Sequence, residues 1–181
     1  MITANEFKAA RQRSLDMLAQ AGIAVTPQEA EALEIADFGL SDLKHYGLEL
    51  ITYVNTERVC AKELVLFPWQ ICPEHRHPPV HGKPGKEETF RCRWGEVYVY
   101  TAGPASDPIK ARLRDDAHSP YLQVRHEIVL KPGEQFTLLP ETLHWFQAGP
   151  DGAIVSEFST HSDDDSDIFS DPAVGRATVI G

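Results

Sequence analysis

The sequence predicts a mainly β fold, an antiparallel jelly-roll barrel with N-terminal helices packed outside it. Short runs rich in Val, Ile, Thr, Tyr, Phe and Trp follow one another from about Leu48. Turn signals with Pro or Gly, such as Trp94-Gly95 and the run from Gly149 to Gly152, separate them. No long helical pattern lies between these runs, which is typical of a barrel or jelly roll. The strand candidates are LELITYV, RVCAKELVLF, ETFRCRW, EVYVYTAG, ARLR, VRHEIVL, QFTLLP, LHWFQAG and AIVSEFST.

Helical patterns occur near the start of the chain. A capping box begins at Thr3, and apolar residues then recur at helical spacing as far as Gly22. A second capping box begins at Thr26 and opens a helix that we expect to end near Gly39. The length suits one domain. The predicted parts of this single domain, residues 1–181, are a helical segment at 1–40, a β-barrel at 48–160 and a C-terminal segment at 161–181.

The composition narrows the expected partners. The chain has 17 Lys and Arg against 27 Asp and Glu, a formal charge of −10. Nucleic acids and anionic membranes attract basic patches, so neither is an expected partner. No apolar run approaches the roughly 20 residues of a membrane span, and the N-terminal residues lack a signal-peptide pattern, so we expect a cytoplasmic protein. The three cysteines form no C-x-x-C pair and are expected to be small apolar residues in or near the core.

Two histidines one residue apart mark the candidate site. On a strand, His75 and His77 would point to one face, about 7 Å apart along the backbone, which suits two imidazoles on one metal ion. Glu87 and Glu88 follow a loop rich in Pro and Gly and enter the next strand, where alternation allows only one of them to point inward. A strand that returns beside the first would bring that carboxylate to the imidazoles.

This arrangement resembles the first motif of the cupin superfamily, a jelly-roll barrel with a metal inside. Counted back from Gly95, the resemblance places the carboxylate ligand at Glu88 and not at its neighbour. It also implies a histidine from a later hairpin, which His144 in KPGEQFTLLPETLHWFQAG supplies. The chain departs from the cupin pattern in a longer loop after His77, and in Thr142 and Ala148, which replace the usual glycine and asparagine.

Longer phrases resemble the D-lyxose isomerase family of cupin sugar isomerases, between about Trp69 and Arg176. They are CPEHRHPPVHGKPGKEETFRCRWGEVYVYTAG, LPETLHWFQAGPDGAIVSEFSTHS and DIFSDP. The resemblance implies interconversion of D-lyxose and D-xylulose, and often of D-mannose and D-fructose, with Mn²⁺ as the usual metal. Three imidazoles and a carboxylate also suit Fe, Co, Ni or Zn. A homodimer is expected by analogy with other cupins. The implied metal ligands are His75, His77, Glu88 and His144.

The implied reaction passes a proton between C2 and C1 of the sugar through a metal-bound enediol, and it needs a general base that is not a metal ligand. Glu157 is the first candidate, because a carboxylate is unusual on the apolar strand AIVSEFST. It shares a strand face with Val155 and so is expected to point inward; the alternative is a solvated glutamate. Lys86 would share the face of Glu88 and donate to O1 or O2 of the sugar, or else it is a solvated loop lysine.

The remaining charged residues near the site receive other assignments. The acidic run Asp163–Asp165 is expected to be solvated. The apolar pair Ile168-Phe169 needs burial, so we expect this segment to fold back near the barrel mouth. Asp167 would then contact sugar hydroxyls. The residues expected at the pocket rim or on the outer face are His81, Arg91 and Arg93.

Three other functions stay open. A cupin phosphosugar isomerase would need a cluster of Arg, Lys or backbone donors for the phosphate, and no such cluster is assigned to the pocket. An iron-dependent cupin dioxygenase would use similar ligands and consume oxygen. A non-enzymatic sugar-binding cupin would hold a sugar without turnover. The four predicted ligands argue against it, because a structural metal site rarely leaves coordination positions open.

Overall fold

The computed structural model describes all 181 residues and contains two α-helices and nine β-strands. The helices are α1 (Ala4–Gln20) and α2 (Pro27–Ala32). The strands are β1 (Glu34–Ala36), β2 (Leu48–Asn55), β3 (Cys60–Leu66), β4 (Ile71–Arg76), β5 (Glu88–Thr101), β6 (His126–Leu130), β7 (Gln135–Leu138), β8 (His144–Ser159) and β9 (Ile168–Phe169). None of the helices combines the length and apolarity that a membrane crossing requires.

Both helices begin at the predicted capping boxes. The Thr3 hydroxyl accepts from the Glu6 N–H at 3.1 Å, and the Glu6 carboxylate accepts from the Thr3 N–H at 2.8 Å. Thr26 and Glu29 repeat this arrangement at 3.2 and 2.8 Å. Each box satisfies backbone donors that have no partner within the helix.

The second helix is shorter than predicted. It ends at Ala32 and not near Gly39, because β1 follows at once and pairs with β2 from Glu34↔Leu50 to Ala36↔Leu48. This ladder supplies the backbone partners that a longer helix would have supplied. The N-terminal segment therefore contributes a strand to the sheet as well as two helices.

Two long strands, β5 and β8, form the centre of the barrel. They run antiparallel in register from Glu88↔Ser159 to Thr101↔His144. On its other edge, β8 pairs with β4 through its first half and with β3 through its second half. The other edge of β5 pairs with β6 and β7. The sheet curls into a barrel with the helices outside, which confirms the predicted fold class.

Two predicted turns are irregularities within these long strands. ETFRCRW and EVYVYTAG form one strand, β5, and LHWFQAG and AIVSEFST form another, β8. The register shifts near Gly95, where a Cβ would lie only 2.0 Å from the carbonyl oxygen of Gly152. Gly95 also has φ +69°, so glycine suits this position on both counts. Such a bulge bends the ladder without ending it.

Other short segments also differ from the prediction. The ARLR run forms no strand: the Arg112 guanidinium lies 3.7 Å from the centre of the Trp69 ring, and the Arg112 N–H donates to Gln147 Oε1 at 2.7 Å. Side-chain contacts thus replace a ladder there. In contrast, ICPEHR forms β4 although it contains Pro73, because the register of β4 with β8 shifts between Cys72 and His75.

Alternation along the strands separates two apolar cores. Leu64 and Val155 belong to the cluster inside the barrel. Their neighbours Val65 and Ile154 point outward and pack with α1 through Met17 and other residues. The outer helices therefore cover a sheet face that would otherwise be exposed. The cysteines are all buried and unpaired, as predicted.

The C-terminal segment folds back across the barrel mouth, as expected. Strand β9 pairs with β4 through His75↔Phe169 and Arg76↔Ile168. The Phe169 ring lies 6.0 Å from that of Phe38 and 5.4 Å from that of His75. Ile168 remains 44% exposed, because neighbours on a strand point to opposite sides; the expected burial of this pair holds only in part.

Candidate metal centre and active site

The four candidate metal ligands meet at the barrel mouth. His75 on β4 lies opposite His144, the first residue of β8. His77 follows β4 directly, and Glu88 is the first residue of β5. The nitrogens that the three histidines can offer lie within 4.8 Å of one another. Glu88 Oε1 lies 3.1 Å from His77 Nε2 and 3.0 Å from His144 Nε2.

Backbone carbonyls orient two of the histidines. His75 Nδ1 donates to the Pro73 carbonyl at 2.8 Å, and His144 Nδ1 donates to the Thr142 carbonyl at 2.9 Å. Since a carbonyl only accepts, each ring carries its proton on Nδ1 and presents the lone pair of Nε2 to the site. Burial, with smaller contributions from His144 and His77, lowers the pKa of His75 well below its usual range, so this ring is neutral, as a metal ligand must be.

One contact in the cluster suits a metal ion. His144 Nε2 is buried and makes no hydrogen bond, although Glu88 Oε1 lies 3.0 Å away. Two acceptors therefore face each other, and a buried polar atom without a partner costs on the order of 1–3 kcal/mol. Metal–ligand bonds of about 2.1 Å at a right angle separate two donor atoms by about 3.0 Å, which matches this spacing. The residues thus fit a divalent metal ion.

Lys86 connects the ligand cluster to a second carboxylate. Its Nζ lies 2.8 Å from Glu88 Oε2 and 3.1 Å from Glu157 Oε1. Burial lowers the pKa of Lys86, but Glu157 and Glu88 outweigh burial and raise it well above its usual range. For Glu88, burial raises the pKa, while Lys86 and His77 outweigh it and hold the pKa well below its usual range. Lys86 is a buried cation; the alternative of a solvated loop lysine is wrong.

Glu157 points into the barrel, as the alternation of β8 predicts. It is 4% exposed and lines the interior cavity, whereas its neighbour Phe158 is 51% exposed on the outer face. Glu157 Oε1 accepts from Lys86 Nζ and also from Ser159 Oγ, each at 3.1 Å. This leaves Oε2 free for another proton. The alternative of an outward, solvated glutamate is wrong.

The cavity contains a second charged cluster that the sequence analysis missed. Lys62 Nζ lies 2.7 Å from Asp164 Oδ2, and Arg176 NH2 lies 3.1 Å from the same oxygen. The expected solvation of Asp163–Asp165 is therefore wrong for Asp164, which is pulled inward by two cations. It holds for Asp163 and Asp165, which are exposed.

A signal for part of this cluster was present in the sequence. Lys62 stands on β3 directly opposite Glu157 in the ladder, between the inward residues Cys60 and Leu64. The alternation argument that identified Glu157 applies equally to Lys62. Arg176 has no comparable signal, because it lies in a segment without regular secondary structure.

Two cavities adjoin this site. The interior one has a volume of about 40 Å³ and is lined by three of the metal-ligand candidates, His75, His77 and Glu88, and by both charged clusters. The outer one, at the mouth, has a volume of about 650 Å³. His77, Lys86 and Asp167 line both, so they mark the passage between them. His81 lines only the outer cavity and is exposed, which confirms its place at the rim.

Asp167 contacts one of the candidate metal ligands, His77. Its Oδ1 lies 2.5 Å from His77 Nδ1, on the side of the ring away from Glu88. Its predicted contact with sugar hydroxyls stays a prediction. Arg91 and Arg93 bond Gln135 and Ser156 at 3.0 and 3.1 Å and line neither cavity, as expected for residues outside the site.

The chain is similar to known sugar isomerases over nearly its whole length. The profile of the D-lyxose isomerase family matches residues 19–181. A D-lyxose/D-mannose isomerase of Thermosediminibacter oceani is 57% identical over 180 residues, 99% of each chain. A D-lyxose ketol-isomerase of Cohnella laeviribosi is 57% identical over 175 residues, 97% of this chain and 96% of the relative.

Solved structures with a similar fold include two L-ribose isomerases. The enzyme of Cellulomonas parahominis with L-ribose superposes with a TM-score of 0.79 at 16% identity, covering 99% of this chain and 98% of the other. The enzyme of Acinetobacter sp. DL28 with L-ribose gives the same values. At this identity the likeness concerns the fold alone.

Proposed function

The chain belongs to the D-lyxose isomerase family, and on this premise we propose that it is a metal-dependent aldose–ketose isomerase that interconverts D-lyxose and D-xylulose. D-mannose and D-fructose are the second pair, because one relative carries the name D-lyxose/D-mannose isomerase. The contact of His144 Nε2 with Glu88 Oε1 at 3.0 Å carries the metal-dependent part of the proposal.

The metal of this proposal is Mn²⁺, although the donor set also suits Fe, Co, Ni or Zn. When bound, a divalent ion polarises the sugar carbonyl and stabilises the oxyanion that forms beside it. The residues that would hold it are His75, His77, Glu88 and His144.

Glu157 is the base of the proposed reaction. Its free Oε2 takes the proton from C2 of the aldose, and the C–H electrons form the C1–C2 double bond of an enediol as the π electrons of C1=O move to O1. The same oxygen then returns the proton to C1 as the C2=O bond of the ketose forms. Burial of Glu157 keeps water from this exchange. The proton therefore moves between neighbouring carbons of one sugar without loss to the solvent at each turnover.

Lys86 acts as a hydrogen-bond and proton donor to the oxygens of the sugar. Its ammonium is fixed between Glu88 and Glu157 at 2.8 and 3.1 Å, which places a hydrogen-bond donor beside the base. It donates to O1 or O2 as negative charge develops and passes the hydroxyl proton from one to the other. With the proton transferred by Glu157, this completes the change from aldose to ketose.

The charges in the cavity favour a free sugar over a phosphosugar. A phosphate needs several unpaired Arg, Lys or backbone donors. Each cation that lines the interior cavity is already paired: Lys62 and Arg176 with Asp164, and Lys86 with Glu88 and Glu157. A sugar hydroxyl can join these pairs without disrupting them.

The test is an isomerisation assay with metal-stripped protein. Mn²⁺ is returned, D-lyxose and D-mannose are offered separately, and the ketoses are measured by chromatography, with Co²⁺, Ni²⁺, Zn²⁺ and Fe²⁺ in parallel. We expect D-xylulose only after metal is returned, and the same yield under argon as under air. Oxygen uptake would instead favour the dioxygenase, and sugar binding without ketose formation would favour a binding protein.

Three further properties belong to the same proposal. We propose that the enzyme is a cytoplasmic homodimer and that residues 1–181 act as one domain. Light scattering during size-exclusion chromatography measures the oligomeric state; a mass near the 20.2 kDa of one chain would contradict the dimer.

A further inference from the structure

We propose that Asp167 is a positioning residue for His77, so that tight metal binding depends on the C-terminal segment being folded onto the barrel. This inference rests on the proposed metal site. In this inference, the acidic C-terminal segment orients His77, one of the metal ligands. This role is additional to any contact that Asp167 makes with the sugar.

The three histidines are held in two different ways. His75 and His144 each bond the carbonyl of the residue two positions earlier. These contacts form with the local chain and need nothing from elsewhere in the protein. His77 Nδ1 instead bonds Asp167 Oδ1 at 2.5 Å, a side chain 90 positions further along the chain. Only this histidine takes its orientation from a distant segment.

The position of His77 explains why it needs such a partner. It lies one residue beyond β4 and precedes Pro78 and Pro79, so the ladder does not extend to it. Its carbonyl accepts from the Glu141 N–H at 3.3 Å, which fixes the backbone, and apart from Asp167 its ring bonds only the metal-ligand candidate Glu88, through Nε2 at 3.1 Å. The carboxylate of Asp167 therefore sets the orientation of the ring.

Asp167 is itself held from both sides. On the N-terminal side, Asp164 bonds Lys62. On the C-terminal side, Phe169 pairs with His75, and Ser170 donates its N–H to the Glu74 carbonyl at 2.9 Å and its hydroxyl to the Glu74 carboxylate at 2.7 Å. These two anchors therefore hold the Asp167 carboxylate in place beside His77.

An anionic acceptor on Nδ1 does more than orient the ring. It keeps the proton on Nδ1 and makes Nε2 a more basic ligand, and loss of such an outer partner typically weakens metal binding about 10–100-fold. Asp167 therefore orients His77 in the way that the two backbone carbonyls orient His75 and His144, and it adds a negative charge. This bond couples the metal site to the C-terminal segment, in addition to the pairing of Phe169 with His75.

The experiment measures Mn²⁺ affinity of the full-length, metal-stripped protein from the free-ion signal in electron paramagnetic resonance. We expect Asp167→Ala to weaken the affinity by about 10–100-fold. Asp167→Asn keeps an acceptor without the charge and should fall between Asp167→Ala and the wild type. Asp165→Asn is the matched control, because it removes the same charge from an exposed neighbour, and it should bind as the wild type does.

Circular dichroism of the metal-free proteins separates positioning from folding. The inference requires the loss of affinity in Asp167→Asn at an unchanged metal-free melting temperature. It is overturned if both Asp167 variants bind Mn²⁺ within twofold of the wild type, or if the affinity falls only together with the melting temperature. Failure of the wild type to bind Mn²⁺ would contradict the proposed function itself, which is a different outcome.

Discussion

Glu88 and His144 stand at opposite ends of the β5–β8 ladder, yet Glu88 Oε1 lies 3.0 Å from His144 Nε2. The bend of both strands near Gly95 and the curl of the sheet bring these ends together across the barrel mouth. With the His144 proton on Nδ1, both atoms are acceptors, and a metal ion between them would stabilise the contact. Closure of the barrel therefore assembles the candidate metal site.

Replacement of His144 by leucine should abolish tight metal binding. Leucine has a similar size and fills the buried position, but it offers no lone pair to the ion. The loss should exceed the roughly 10–100-fold that follows from removal of an outer partner. Bound Mn²⁺ per chain is measured by mass spectrometry of the equilibrated protein. His126→Leu, on β6 and outside both cavities, is the control; a normally loaded His144→Leu protein would refute the site.

Replacement of Glu157 by glutamine should stop catalysis and spare the metal. The amide keeps the shape of the side chain but cannot take a proton, so kcat should fall by about 10²–10⁴-fold, with Mn²⁺ content unchanged. Transfer of deuterium from C2 of labelled D-lyxose to C1 of D-xylulose measures the proton step directly. Glu31→Gln, an exposed residue of α2, is the control. Near-normal turnover in Glu157→Gln would assign the base to another residue.

Replacement of Asp164 by asparagine should destabilise the protein at every pH at which Asp164 is ionised. Lys62 would remain buried without its carboxylate, and charged hydrogen bonds contribute about 1.5–3 kcal/mol. Burial raises the pKa of Asp164, but Lys62, Lys86 and Arg176 outweigh it and hold the pKa well below its usual range. The stabilisation is therefore complete above the ordinary pKa of 3.8 and is lost as the pH falls below it.

Urea unfolding of wild type and Asp164→Asn from pH 7 to pH 3 measures this difference, with chelator present to exclude metal effects. The difference in free energy of unfolding should be constant down to about pH 5 and then shrink. Asp165→Asn should match the wild type throughout, because its side chain is exposed. A difference that grows towards pH 3 would contradict the ion pair as the cause.

Replacement of Glu49 by glutamine should stabilise the protein near neutral pH. Glu49 is fully buried, and only its Oε1 has a partner, Gln70 Nε2 at 3.1 Å. Burial raises its pKa to about 8, with Gln70 and Arg13 opposing. The unfolded chain releases the proton from about pH 4.5, so the wild type loses stability as the pH rises from there to about 8.

Glu49→Gln has no proton to lose, and its free energy of unfolding should exceed that of the wild type by on the order of 3 kcal/mol at pH 8 and by little at pH 5. Urea titrations at pH 5, 6, 7 and 8 provide the measurement, with Glu31→Gln as an exposed control. Parallel pH profiles of wild type and Glu49→Gln would show that the buried carboxyl has an ordinary pKa.

The local features of this protein follow from its amino-acid sequence. Capping boxes set where α1 and α2 begin, and period-two alternation placed Glu157 inside the barrel and restricted the inward carboxylate to one of Glu87 and Glu88. Strand geometry and ligand chemistry marked the H-x-H pair, and the resemblance to the cupin motif selected Glu88 and His144. Capping and strand alternation are short-range rules, and they act within a few residues of each position.

The contacts across the barrel depend on the tertiary structure. Alternation shows that Glu157 points inward, but not that Lys86 lies 3.1 Å away. Nothing local to Asp167 specifies His77, and nothing local to Asp164 specifies Lys62. The strands that were expected to end at Gly95 and Gly149 continue instead, because the ladder between β5 and β8 supplies partners on both sides of the bulge. Contacts between distant residues depend on how the whole sheet curls, and no pattern within a short window encodes that curvature.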